Sequence, residues 1–252
     1  MSVIVKICGL ATEGGLDAAL ASGADMAGFV VFDKSPRHVS LELAANLGQR
    51  AARRTCKVLV TVDAGDALLA AAIKALDPGL LQLHGSETPE RVAAIRAQFG
   101  LPVMKAIGIF EAADLAMIPC FSAVADYLLF DAKPRQAAAR PGGNGAAFDW
   151  SLLGKVKTTK PWLLAGGLDA DNVADALVQT GAPGVDVSSG VESAPGVKDK
   201  NKIAAFIAEV RGPRQGLVRR RGTANSAARR DGTVNIVPKD PDQPYDKQRR
   251  MR

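Results

Sequence analysis

Val3-Ile4-Val5-Lys6-Ile7-Cys8-Gly9-Leu10 is an apolar, β-branched run that stops at a thiol and a glycine. Val and Ile favour strands because their branched side chains pack well on a pleated surface. Cys8 is therefore expected at the end of a first strand, where a loop begins. The arrangement recurs downstream: Leu128-Leu129-Phe130 delivers Asp131, and Leu163-Leu164-Ala165 delivers Gly166-Gly167. One chain thus places a candidate base, a candidate acid and a candidate phosphate cradle at equivalent strand ends, which is where barrel enzymes do chemistry.

Along the chain, short apolar runs near 3–8, 26–31, 57–62, 79–83, 102–107, 126–130, 161–165 and 184–187 read as strands. Between them, Glu13–Ser22, Leu41–Ala51, Ala64–Leu76, Thr88–Phe99, Ala170–Thr180 and Asp199–Val210 carry apolar residues at helical spacing, with weaker signals over Glu111–Met117 and Phe148–Leu153. Strands alternating with helices imply parallel pairing, because each crossover helix covers a sheet face that must stay dry. Eight such units predict a single (β/α)8 barrel over residues 1–211. The competing fold, a doubly wound open sheet, would concentrate a G-x-G-x-x-G pattern after one early strand, and none stands there.

The chain has 252 residues, 47% of them hydrophobic and 23% charged, enough for one sizeable core. No stretch approaches the roughly 18 apolar residues that would read as a membrane span, and the N-terminus lacks a signal-peptide pattern, so a cytoplasmic protein is expected. Three widely spaced cysteines, Cys8, Cys56 and Cys120, fit neither a disulfide framework nor a zinc knuckle. The formal charge of +6 is unevenly spread: residues 212–252 hold 11 Lys+Arg against 4 Asp+Glu, and residues 1–211 hold 21 against 22. The basic balance belongs to the tail, whose Arg219-Arg220-Arg221, Arg229-Arg230 and Arg249-Arg250 interrupt a sequence with no apolar period. Such a segment cannot bury enough surface to offset its ordering entropy and is expected to be disordered. Nucleic-acid binding by this tail is not expected, since the nearly neutral barrel offers it no supporting surface.

Taken alone, Cys8 reads as a small buried hydrophobe; at a strand end beside Gly9 it faces a barrel mouth, where nearby cations or helix N-termini favour a thiolate. Lys6, two residues earlier, points the same way into the barrel, where an ion pair with Asp186 is its structural explanation. Asp131 could simply cap a helix, yet the long Pro/Gly/Ala-rich stretch 134–145 follows it. A carboxyl in a partly dry mouth has a raised pKa and can donate a proton near neutrality. A cysteine base and an aspartic acid donor form a proton-shuttling pair that needs no cofactor. Gly166-Gly167 and Ser188-Ser189-Gly190 follow the seventh and eighth strands, where barrels most often hold phosphate. Asn172, beyond the first of these loops, reads as a helix-start residue. Arg37 is either a surface arginine or a planar, two-pronged partner for a carboxylate. His84 either hydrogen-bonds locally or lines the site. With His38 it completes the histidine count, so neither a serine triad nor a metal site is called for.

Val5-Lys6-Ile7-Cys8-Gly9, Gly28-Phe29-Val30 with Ser35-Pro36-Arg37, Gln82-Leu83-His84-Gly85, Phe130-Asp131-Ala132-Lys133, Gly142-Gly143-Asn144-Gly145 with Phe148-Asp149-Trp150, Leu164-Ala165-Gly166-Gly167-Leu168 and Gly184-Val185-Asp186-Val187-Ser188-Ser189-Gly190-Val191-Glu192 together resemble phosphoribosylanthranilate isomerase. The resemblance is ordered and spans roughly residues 3 to 211. It implies a (β/α)8 barrel of tryptophan biosynthesis, monomeric or homodimeric, acting on a phosphosugar without a cofactor. It also implies that Asp131 protonates the furanose ring oxygen and that Cys8 removes the sugar C2 proton. Arg37 would hold the anthranilate carboxylate, and Gly166, Gly167, Ser188, Ser189 and Gly190 the phosphate. Asn144 stands where many members are expected to have Thr, which bears on how the loop after Asp131 closes. The block Val60-Thr61-Val62-Asp63-Ala64 is less familiar, and residues 212–252 have no counterpart in the family pattern. The related sugar isomerase of histidine biosynthesis uses two aspartates on a substrate with two phosphates; Cys8 at the first strand end, and the lack of a second Gly-Gly phosphate loop in the first half, separate this chain from it.

Overall fold

The apolar runs form eight strands, β1 (Ile4–Cys8), β2 (Met26–Val30), β3 (Cys56–Thr61), β4 (Leu80–Leu83), β5 (Val103–Ile109), β6 (Tyr127–Ala132), β7 (Trp162–Ala165) and β8 (Gly184–Val187). The computed structural model describes residues 2–132 and 150–212. Every neighbouring pair is parallel, and β8 returns to pair with β1, closing the barrel in sequence order. The expected single barrel is therefore the observed fold, and the open sheet is excluded by the β1–β8 ladder.

The helices are α1 (Glu13–Ala21), α2 (Leu41–Ala51), α3 (Asp66–Leu76), α4 (Pro89–Phe99), α5 (Ile118–Val124), α6 (Val173–Thr180) and α7 (Lys200–Arg211). Their starts follow capping chemistry: Thr12, Ser40 and Thr88 each accept a backbone N–H from the first turn of α1, α2 and α4, and Asp199 accepts two at α7. Helix α6 begins three residues later than the apolar pattern suggests. The Asp169 carboxylate takes the N–H groups of Asp171 and Asn172 and holds that stretch as a turn. Over Ala112–Met117 and Trp150–Lys155 the chain winds as 3-10 helix. Helix α5, which the pattern did not suggest, carries Pro119 in its first turn, where no N–H is needed.

Strand alternation divides the core in two. Met26, Val58, Val60, Leu80, Met104, Leu129 and Leu163 fill the barrel interior together with Cys8. Val5, Ile7, Phe29, Leu59, Leu81, Phe130 and Val185 face outward against Leu16, Leu47, Leu69, Ile95, Val173 and Phe206 of the helices. Each such side chain contributes about 1.5–3 kcal/mol by leaving water. Helix α7 ties the last element to the first: Arg211 Nη1 donates to Val3 O and Nη2 to Asp25 Oδ2, each at 2.6 Å, and Asp25 Oδ2 also accepts Val5 N. The basic tail beyond Gly212 and the loop over 134–145, with Asn144, lie outside the described residues.

Candidate active site

Cys8 ends β1 facing inward, with 8% of its surface exposed. Its neighbour across the β1–β2 register is Gly28, where a Cβ would lie 3.1 Å from Cys8 Sγ and 3.2 Å from Lys6 Nζ. A side chain there would press on both the sulfur and the ammonium. One layer below, Lys6 is fully buried and donates to Asp186 Oδ1 at 2.9 Å, the pair being register partners on β1 and β8. Burial lowers the Lys6 pKa, but Asp186 and Cys8 outweigh it and hold the ammonium charged. For Cys8, burial pushes the thiol above its ordinary value; Lys6 and Lys198 oppose that, and Asp186 adds to it. The nearby cations temper the Cys8 pKa without reversing the upward shift.

Asp131 ends β6 on the inward face and is 8% exposed. His84, just past β4, brings Nε2 within 3.3 Å of Asp131 Oδ2, while Gln82 Nε2 lies 2.9 Å from His84 Nδ1. An amide nitrogen can only donate, so Nδ1 accepts and Nε2 carries the proton toward Asp131. Gln82 is fully buried, and its Oε1 has no partner among the described residues. The loop bearing His84 is pinned from behind. Lys105 Nζ donates to Gly85 O at 2.7 Å and to Glu87 Oε2 at 2.8 Å, and Glu87 in turn accepts Asp63 N and Gly85 N.

Arg37 lies over the end of β1, where a Cβ on Gly9 would overlap its side chain; Gly9 sits at φ +76°. Its Nε and Nη2 donate to the two oxygens of Glu192, both at 2.7 Å. Glu192 is shared with Lys198, whose Nζ lies 2.7 Å from Oε1 and also donates to Ser188 O and Oγ at 3.0 and 3.2 Å. Burial alone would raise the Glu192 carboxyl; hydrogen bonds from Arg37 and Lys198 overcome it and hold the pKa at about 2. Burial pulls Lys198 below the ordinary lysine value despite Glu192. Both residues sit on a short hairpin after β8, β9 (Glu192–Ala194) with β10 (Val197–Lys198), which packs back over the barrel mouth.

The loops after β7 and β8 touch. Gly166 and Gly167 have φ of +97° and +63°, and Asn172 Nδ2 donates to Gly167 O at 2.8 Å. Asn172 is the helix-start residue of α6, as expected, and its side chain also pins the Gly-Gly turn. Gly190 lies so close to Leu168 O that a Cβ there would overlap it. Ser188 Oγ donates to Cys8 O at 3.1 Å, joining the β8 loop to the β1 end. The backbone N–H groups of Gly167, Ser189 and Gly190 take no protein acceptor among the described residues.

The structure thus brings Cys8, Arg37, His84, Asp131 and the β7 and β8 loops to one end of the barrel. Sequence reasoning missed the supporting residues: Glu192 and Lys198 as a shared ion cluster, Gln82 behind His84, and the Lys105–Glu87 pair. Glu192 closed a quoted motif, yet nothing in its neighbourhood signals a partner 155 residues away. No group of three His, Cys, Asp or Glu among the described residues is placed to hold a metal ion, and no helix among them is long and apolar enough to cross a membrane.

The family pattern described as N-(5'phosphoribosyl)anthranilate (PRA) isomerase matches residues 5–209. The N-(5'-phosphoribosyl)anthranilate isomerase of Beijerinckia indica subsp. indica is 66% identical over 213 residues, covering 84% of this chain and 96% of that protein. Among solved structures, the phosphoribosyl anthranilate isomerase of Thermotoga maritima superposes with a TM-score of 0.73 at 31% identity, covering 82% of this chain and 98% of that one. A phosphoribosyl anthranilate isomerase in complex with reduced 1-(o-carboxyphenylamino)-1-deoxyribulose 5-phosphate superposes at 0.70 with 29% identity over 82% of this chain and 98% of that one. The agreement extends over the whole described barrel, and the chain belongs to the phosphoribosylanthranilate isomerase family.

Proposed function

We propose that this barrel converts N-(5'-phosphoribosyl)anthranilate into 1-(2-carboxyphenylamino)-1-deoxyribulose 5-phosphate, a cytoplasmic step of tryptophan biosynthesis, with Asp131 as general acid and Cys8 as general base. The observation that carries the mechanism is that both groups end inward-facing strands at the same mouth, each almost wholly buried. Asp131 gives its proton to the furanose ring oxygen, the C1–O bond breaks, and the anilino nitrogen takes up the positive charge as a protonated Schiff base. A cation next to the sulfur favours loss of the Cys8 proton to solvent, which gives the thiolate that burial alone disfavours. Cys8 then removes the C2 proton, and its electrons flow into the iminium to give a neutral enolamine, which tautomerises to the ketone. The nitrogen of the substrate is the electron sink, so the chemistry draws on no cofactor.

His84 donates from Nε2 to the carboxylate that Asp131 becomes, and Gln82 fixes the tautomer that can do so. Arg37 holds the anthranilate carboxylate; the backbone N–H groups of Gly166, Gly167, Ser188, Ser189 and Gly190 hold the phosphate. Pinning both ends converts the proton transfers into steps within one aligned complex. One barrel carries every group assigned to the reaction, so a monomer suffices and a homodimer would hold two separate sites. Residues 212–252 add nothing to the chemistry in this reading.

The test is turnover of freshly made phosphoribosylanthranilate, followed by loss of its fluorescence. Cys8→Ser and Asp131→Asn should each lower kcat by about 10²- to 10⁴-fold with the circular dichroism spectrum intact. Near-normal rates in both variants would remove these assignments.

A further inference from the structure

The guanidinium of Arg37 has two edges able to chelate a carboxylate, one formed by Nε and Nη2, the other by Nη1 and Nη2. Glu192 occupies the first edge with two bonds of 2.7 Å. No hydrogen bond from Nη1 occurs among the described residues, so the second edge remains for a ligand. Gly9 is pressed against the aliphatic part of the same side chain, and Ser35 Oγ accepts the backbone N–H of Arg37 at 3.1 Å. Arg37 is therefore held at three places before any substrate arrives.

A carboxylate placed beside an anion-binding arginine would ordinarily neutralise it and repel the substrate. Here Lys198, 1% exposed at its side chain, lies 2.7 Å from the same Glu192 oxygen that accepts Arg37 Nε. One carboxylate and two cations leave a net charge of +1, and of the three side chains Arg37 is the most exposed, at 23% against 5% for Glu192 and 1% for Lys198. Lys198 also bonds Ser188 O and Oγ, and so ties this cluster to the β8 loop assigned to the phosphate.

We propose that Glu192 is a specificity-determining positioning residue: with Lys198 it pre-orients Arg37 so that its free edge selects substrates whose aromatic ring carries a carboxylate. The proposal rests on the isomerase reading given above. A free arginine must give up the freedom of several rotors to chelate a planar anion; Glu192 removes that loss ahead of binding.

The experiment measures binding by calorimetry, so that it does not depend on turnover. The probes are reduced 1-(o-carboxyphenylamino)-1-deoxyribulose 5-phosphate and the same compound lacking the ring carboxylate. The unaltered protein should prefer the carboxylated compound on the order of 10- to 100-fold. Glu192→Gln, which keeps the shape and removes the charge, should shrink that preference about tenfold while binding the carboxylate-free compound as before. An unchanged preference overturns the proposal, as does equal weakening toward both compounds, which would place the fault in the phosphate loop. If the unaltered protein binds neither compound, the isomerase reading itself falls. Should Glu192→Gln lack a cooperative thermal transition, Glu192→Asp takes its place. It keeps the charge beside Lys198 but is one carbon too short for the double contact, and it must lose the preference too.

Discussion

Lys6 Nζ lies 2.9 Å from Asp186 Oδ1 across the seam that closes the barrel, with the lysine side chain wholly out of water. The pair sits one layer beneath Cys8, and Lys6 is the cation that most opposes the rise of its pKa. Removing one partner leaves the other charge buried alone, which costs about 3–5 kcal/mol. Lys6→Met should therefore lower the urea midpoint sharply. Lys6→Met with Asp186→Leu should regain much of that stability, yet leave Cys8 slower to react with iodoacetamide at pH 8 than in the unaltered protein. Equal alkylation rates in both would show that Lys6 has no hold on the thiol.

Burial raises the Cys8 thiol above its ordinary value, and the sign of two pH effects follows. In the unfolded chain the thiol loses its proton near its ordinary value of about 8.5, whereas the folded state keeps it, so unfolding becomes easier as pH rises beyond that point. The thiolate fraction of Cys8 grows over the same alkaline range, so its alkylation by iodoacetamide should quicken with pH past the ordinary thiol value. The pH dependence of Cys8 alkylation from pH 6 to 10, with Cys8→Ala stability measured alongside, checks both. An alkylation rate that has already levelled off at pH 7 would contradict the raised value.

Gly190 packs against the carbonyl of Leu168 with no room for a side-chain atom, so the two phosphate loops depend on its being glycine. Gly190→Ala must push the β7 and β8 loops apart. KM for phosphoribosylanthranilate should rise about tenfold or more, with kcat falling less, because the loops act on binding before chemistry. Unchanged KM would move the phosphate elsewhere.

Arg211 closes the described barrel through Val3 and Asp25, and the family pattern ends at residue 209. A chain ending after Gly212 should keep kcat/KM within about twofold and its thermal midpoint nearly unchanged, since nothing assigned to the reaction lies beyond it. Loss of activity on truncation would give the basic tail a part in the reaction.

Short apolar runs and helical spacing are local properties, and from them the eight barrel strands and six of the seven α-helices among the described residues were legible; their regular alternation pointed to the eightfold barrel. Strand ends are equally local, so Cys8, Asp131 and the glycine loops were legible as candidates from their own neighbours, and the Lys6–Asp186 pair from the inward face they share. Helix α5 was hidden because Pro119 and its short length leave no periodic signal. The remaining contacts depend on closure: β8 must meet β1 before the β9–β10 hairpin can carry Glu192 to Arg37 and Lys198 to Ser188. The alignment of Gln82, His84 and Asp131 likewise needs β4 and β6 fixed in one barrel. The direction of the Cys8 shift was beyond the sequence for the same reason: neighbouring cations could be guessed, but the burial that outweighs them exists only once every strand is in place.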